Sequence, residues 1–170
     1  MSARPDMDQG ASLYAERRDL RIDRPLGFGK DGTVFSTVLP ARDATAVKVF
    51  EQQNMCQREL AVYRRLDQHG VTEVHGHNVP LLIARDDELF VIEMTVVARP
   101  FLLDFADARL DAVPEFPDEV LERWHEEKIE QFGAELWERA QLVMATLRGS
   151  YGIFLLDINP GNITFGEGDP

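Results

Sequence analysis

The chain has 170 residues, 44% hydrophobic and 28% charged, which suits a globular domain with a core of its own. Its formal net charge of -12 repels nucleic-acid phosphates and anionic lipid surfaces, so neither nucleic acid nor membrane is expected as a primary partner. The lone cysteine, Cys56, excludes an internal disulfide and a cysteine-built zinc site, and no apolar run reaches the ~20 residues of a membrane helix, so the cytoplasm is the expected location.

Residues 1–18, which begin MSARPDMDQG, are polar and lack an apolar signal core, so they read as a flexible lead-in. "LRIDRPLGFG" and "GTVFSTVL" then read as strands flanking a glycine turn, and residues 40–44 as a second turn before the short apolar strand "TAVKVF". Leu60, Tyr63 and Leu66 recur at a spacing of three within a helix over 51–67. "HGVTEVHGHNVP" reads as a loop whose histidines, His69, His75 and His77, are solvated. "LLIAR" and "ELFVIEM" form a hairpin around Asp86 and Asp87.

"RPFLLDFADARL" is expected to be a short helix after Pro100, and "AVPEFPDE" a loop. From 118 to 149 the pattern is helical, with Gly133 as the point where it splits in two. Leu121, Trp124, Phe132, Leu136, Ala140, Val143 and Leu147 mark its apolar face, on which both tryptophans read as core. The acidic run "DEVLERWHEEKIE" is its wet face. "IFLLD" and "NITF" are short strands around the turn "INPGN". Strands, one helix, strands, helices and a last strand pair make an α+β fold of two layers or two lobes, not a βαβ alternation.

Three features carry chemistry. The glycines at 27, 29 and 32 lie between two strands, where they serve either a plain hairpin or a loop folded over phosphates. A dinucleotide fold would instead open a helix at the third glycine. Lys48, inside an apolar strand, either faces solvent or requires a buried partner, and Glu59 on the following helix is placed to supply one. In "LLDINPGN" a carboxylate, Asp157, and an amide, Asn162, flank a turn shaped by Pro160 and Gly161. Such a pair suits an acid–base residue beside a metal ligand, or two side chains that cap backbone groups.

Taken in order, "LGFGKDGTV", "AVK", the helix glutamate and "D-x-x-P-x-N" resemble the protein-kinase-like superfamily, which includes eukaryotic-type protein kinases and aminoglycoside phosphotransferases. The resemblance spans about residues 20–165 and implies an antiparallel-sheet N-lobe with one helix over 19–96, and a reduced, mainly helical C-lobe over 97–170. It implies an ATP-dependent phosphotransferase that needs Mg2+ and acts on a hydroxyl of a protein or small molecule, protein Ser/Thr foremost. The alternative is a pseudokinase that binds nucleotide or partners without efficient catalysis.

The resemblance also assigns residues. Gly27, Gly29 and Gly32 would cover the phosphates, and Lys48, paired with Glu59, would contact them. Leu26, Val34, Ala46 and a gatekeeper-like Ile92 would sandwich the adenine, with Thr164 beneath it. The backbone at Glu93 and Thr95 would hydrogen-bond the base. Asp157 would be the catalytic base and Asn162 a metal ligand.

Departures from the pattern are equally specific. Leu155 stands where the family carries histidine, and Asn159 where protein kinases carry lysine. No D-F-G-like motif follows. Its metal-binding role would pass to Asp169 or Glu167 in "FGEGDP", unless that stretch is a solvated acidic tail. The chain is then either a fragment of a catalytic lobe or a minimal kinase-like protein.

Overall fold

The computed structural model of the chain describes residues 6–29, 31–39 and 43–166. Helix α1 (Met7–Arg18) precedes strands β1 (Arg21–Gly29), β2 (Gly32–Val38) and β3 (Thr45–Phe50), and helix α2 (Gln53–Gln68) follows. Next come β4 (Glu73–Val74), β5 (His77–Asn78), β6 (Leu82–Asp86) and β7 (Val91–Thr95). Strand β8 (Arg109–Leu110), helices α3 (Asp118–Phe132) and α4 (Ala134–Tyr151), and β9 (Ile153–Phe154) complete an α+β architecture.

Two compact units emerge: Met1–Tyr63 with Leu81–Val96, and Arg64–Pro80 with Val97–Pro170. The sequence places 19–96 in one lobe. In the structure residues 64–80 group with the second unit instead, and residues 7–18 join the first as helix α1.

The first unit is built on an antiparallel five-stranded sheet in the order β1-β2-β3-β7-β6. Directly opposed residues share a face, so Val34, Lys48 and Ile92 form one row across β2, β3 and β7, and Ala46 and Met94 form the next. Phe35, Val47, Val49 and Val91 point to the other face. There they form a core with Leu89 and with Ala11 and Tyr14 of α1, and Met7, Leu20 and Ile22 pack at its edge.

Helix α1 corrects the expectation of a flexible lead-in. Met7, Ala11, Tyr14 and Ala15 follow the i, i+4, i+7, i+8 spacing of one helical face. Asp6 caps the start by accepting the Gln9 N–H at 2.8 Å. Left-handed Asp19 ends the helix, and the Leu20 N–H returns to the Ala15 carbonyl at 2.8 Å. Each large apolar side chain buried this way is worth about 1.5–3 kcal/mol.

In the second unit α4 buries Trp137, Ala140, Val143 and Leu147. Trp137 meets Trp124 edge-to-face at 5.2 Å and donates its indole N–H to His125 Nδ1 at 2.8 Å. Gly133, at φ 78°, separates α3 from α4. The acidic residues of α3 are all exposed, but Lys128 turns inward, to Gln131 Oε1 at 3.0 Å. Leu121 is exposed rather than core. It lines, with Val113, Phe116, Trp124, Met144 and Leu155, an apolar cavity of ≈650 Å³.

Arg65 grips the Asp111 carboxylate with both guanidinium nitrogens, at 3.0 and 2.7 Å, and donates to the Tyr151 carbonyl at 2.7 Å. This bidentate bond holds Asp111 below the usual carboxylate range.

Two local expectations fail here. Residues 99–108 contain no helix. The backbone of Phe101 and Leu103 bonds instead to Thr164 and Asn162, and Asp104 adopts φ 62°. His77 is also not solvated. It is 2% exposed in the β4–β5 hairpin, its Nδ1 lies 3.2 and 3.1 Å from the Val74 and His75 carbonyls, and burial lowers its pKa. Among the described residues no helix is long and apolar enough to cross a membrane.

Candidate active-site elements

The glycine stretch is a hairpin paired to its tip: Gly27 lies opposite Val34, and Gly29 opposite Gly32. Neither Gly27 nor Gly32 needs a left-handed backbone. Gly32 is required for another reason, since a Cβ there would run into the Val49 carbonyl of the neighbouring strand. Gly27 has open space where a Cβ would go. Leu26, beside it, is 48% exposed.

Lys48 is buried on the face opposite α1. Its Nζ donates to Glu59 Oε2 at 2.7 Å, and the two side chains are 6% and 0% exposed. Burying one charge alone would cost several kcal/mol, which close pairing offsets. Glu59 reaches the lysine because it stands one helical turn before Tyr63, whose hydroxyl lies 3.2 Å from Met94 Sδ. Val34, Ala46, Ile92 and Met94 share that sheet face. Met94 lies opposite Ala46. The sequence reading passed over it, although strict alternation places it beside Ile92.

The Thr95 N–H is engaged away from the role expected for it. Strand β7 lies inside the sheet, where Glu93 is flanked by Val47 on one side and Ala84 on the other. The Thr95 N–H donates to the Leu81 carbonyl at 3.0 Å, and its hydroxyl accepts the Leu81 N–H at 2.9 Å. The Thr95 N–H is thereby committed to Leu81 rather than offered to a base. The buried Glu93 carboxylate faces α1 and accepts from Tyr14 Oη at 2.7 Å, Thr45 Oγ1 at 3.1 Å and Arg18 Nε at 3.3 Å. Burial, and then the Glu93 carboxylate, raise the Tyr14 phenol above its ordinary pKa.

In the second unit, residues 157–162 form a tight turn around a buried Asn162. Asn162 Nδ2 donates to the Asp157 carbonyl at 2.6 Å, and its Oδ1 accepts the Asn159 N–H at 2.9 Å. The Asp157 side chain is exposed, and its Oδ1 accepts from Asn159 Nδ2 at 3.3 Å. The segment after the turn is not a strand but is anchored rather than free. Leu102 bridges Ile163, and the Thr164 N–H donates to the Phe101 carbonyl at 2.9 Å. The Thr164 hydroxyl accepts the Phe101 N–H at 3.1 Å.

Asp169 and Glu167, the candidates for a second metal ligand, lie outside the described residues. Among the described residues no three His, Cys, Asp or Glu side chains gather as a metal site.

No family model matches the sequence, and no curated protein matches it. Among solved structures, the chain is similar to one in the "streptomycin-ATP-APH(2")-IIa ternary complex", at 15% identity and a TM-score of 0.37. The match covers 62% of this chain and 33% of that one, so it spans about a third of that protein's length. At that TM-score the likeness carries no functional weight, and the side chains must carry it instead.

Proposed function

We propose that the chain is an ATP-dependent phosphotransferase of the protein-kinase-like type, passing the γ-phosphate of ATP to a hydroxyl, foremost a protein serine or threonine. The buried Lys48–Glu59 pair carries this reading. A strand lysine held by a helix glutamate is costly to bury for structure alone, because an apolar pair would pack as well without the desolvation penalty. Held this way, the lysine nitrogen is fixed in place for phosphate oxygens to meet it.

The hairpin at Gly27–Gly29 supplies backbone that approaches a ligand closely, and Asp157 supplies an exposed carboxylate to receive the proton of the acceptor hydroxyl. Asn162 fits a magnesium ligand in its chemistry: Oδ1 spends one lone pair on the Asn159 N–H and has a second. Bound Mg2+ would neutralise charge on the phosphates, with Asp169 or Glu167 as its carboxylate partner.

A second reading, a pseudokinase, is favoured by one observation: Asn159 stands where a lysine would face the transferring phosphoryl group, and its side chain is engaged within the turn.

The experiment is Mg2+-dependent ATP binding and turnover for wild type, Lys48→Met, Lys48→Arg and Asp157→Ala, with thermal melts to exclude misfolding. Binding that survives Asp157→Ala while turnover is lost is the expected result. Wild-type binding without turnover selects the pseudokinase, and a wild type that binds no ATP sinks both readings.

A further inference from the structure

Asn159 lies at the centre of the turn that carries Asp157. Its Oδ1 accepts the Gly161 N–H at 2.9 Å, while its Nδ2 donates to Asp157 Oδ1 at 3.3 Å. Its own N–H donates to Asn162 Oδ1 at 2.9 Å, and Asn162 Nδ2 returns to the Asp157 carbonyl at 2.6 Å. Three residues thus close a ring that joins the candidate base to the candidate metal amide.

The two ends of a carboxamide are not interchangeable, since the oxygen only accepts and the nitrogen only donates. The Gly161 N–H claims the oxygen, so the nitrogen is turned toward Asp157. Flipping the amide would set donor against donor at Gly161 and oxygen against carboxylate at Asp157. A Cβ on Gly161 would stand 3.0 Å from Asn159 Oδ1, so glycine at 161 leaves the carboxamide its room.

An exposed carboxylate rotates broadly about its last torsion. One neutral donor on Oδ1 restricts that rotation and brings no charge. Among the described residues Oδ2 has no hydrogen-bond donor, which leaves it for an incoming hydroxyl.

The geometry points to Asn159 as the positioning residue of Asp157, orienting the carboxylate through a neutral hydrogen bond where protein kinases carry a lysine. This rests on the phosphotransferase reading and adds a role that reading does not contain.

Two substitutions separate it from mere loop shaping. Asn159→Asp keeps an oxygen for the Gly161 N–H but presents a second oxygen, not a donor, to Asp157. Asn159→Ala removes both contacts. A loop-shaping residue would give Asn159→Asp wild-type turnover and a poor Asn159→Ala. A positioning residue gives a kcat loss on the order of 10–100-fold in both, with the KM for ATP within about twofold and Asn159→Asp no better than Asn159→Ala. Amide exchange at Gly161 should stay slow in Asn159→Asp and quicken in Asn159→Ala.

A further readout does not depend on turnover. In the 15N-labelled full chain, Asp157→Ala should shift the Asn159 side-chain carboxamide resonances, and resonances that do not move overturn the contact. Wild-type kcat in Asn159→Asp, beside an active wild type, overturns the role alone. A wild type that turns over no ATP overturns the phosphotransferase reading and the role together.

Discussion

The Tyr14 hydroxyl of helix α1 donates to the Glu93 carboxylate of strand β7 at 2.7 Å, inside the core of the first unit. This bond ties a helix near the start of the chain to a strand nearly eighty residues later. It also explains why Glu93, flanked by Ile92 and Met94 in an apolar strand, is tolerated there: Thr45 and Arg18 complete its set of donors.

Tyr14→Phe should therefore cost about 1–3 kcal/mol of unfolding free energy, because it leaves a buried carboxylate short of a donor. Denaturant melts check the size. The pH dependence has a definite sign. The folded pKa of Tyr14 lies above the unfolded value of about 10, so its contribution is full below that pH and is lost as pH rises through the folded value. A Tyr14→Phe chain should lack that alkaline loss.

Lys48 and Glu59 should behave as a unit. Lys48→Met leaves a carboxylate with 0% exposure facing an apolar side chain and should cost about 3–5 kcal/mol. The double variant Lys48→Met, Glu59→Leu should recover much of that loss. A double-mutant cycle with no coupling would contradict the buried pairing.

The glycines of the hairpin should separate by role. Gly32→Ala forces a methyl into the Val49 carbonyl and should destabilise the sheet by several times the ~0.5 kcal/mol of a typical surface change. Gly27→Ala meets nothing and should leave stability unchanged or slightly higher. If the hairpin covers ATP, Gly27→Ala raises the KM for ATP while the melting temperature holds.

His77 should make the fold sensitive to mild acid. Burial lowers its folded pKa below the unfolded value of about 6.5, so the unfolded chain binds the proton more readily. Stability then falls as pH drops below about 6.5 and levels off below the folded pKa. His77→Gln, compared with wild type between pH 8 and pH 5, should show a flatter curve even if its stability is lower throughout.

Much of the order of elements was legible along the chain. The β-branched alternation of "GTVFSTV" and the three-residue spacing of Leu60, Tyr63 and Leu66 are local signals, and Gly133 broke the long helix where its missing side chain suggested. The Lys48–Glu59 contact was also legible, because a charge inside an apolar strand implies a partner and the next helix offered one. Helix α1 was not. Its apolar face uses two alanines and a tyrosine among charged residues, a pattern too weak to read without the sheet it covers. Nor was the bridged segment at 101–102, where Leu102 pairs with Ile163 some sixty positions away.

The sequence alone determined the α+β class, much of the run of strands and helices, and the residue types at the glycine hairpin, at Lys48 and in the 157–162 turn, because each depends on neighbours a few residues apart. Only the tertiary structure decided that Glu93 turns to Tyr14, that the Thr95 amide is committed to Leu81, that His77 is buried, and that Asn159 points its amide at Asp157. Those outcomes depend on which distant groups meet a buried donor or acceptor. The cost of leaving such a group unsatisfied selects the partner, and it acts only once the chain has folded.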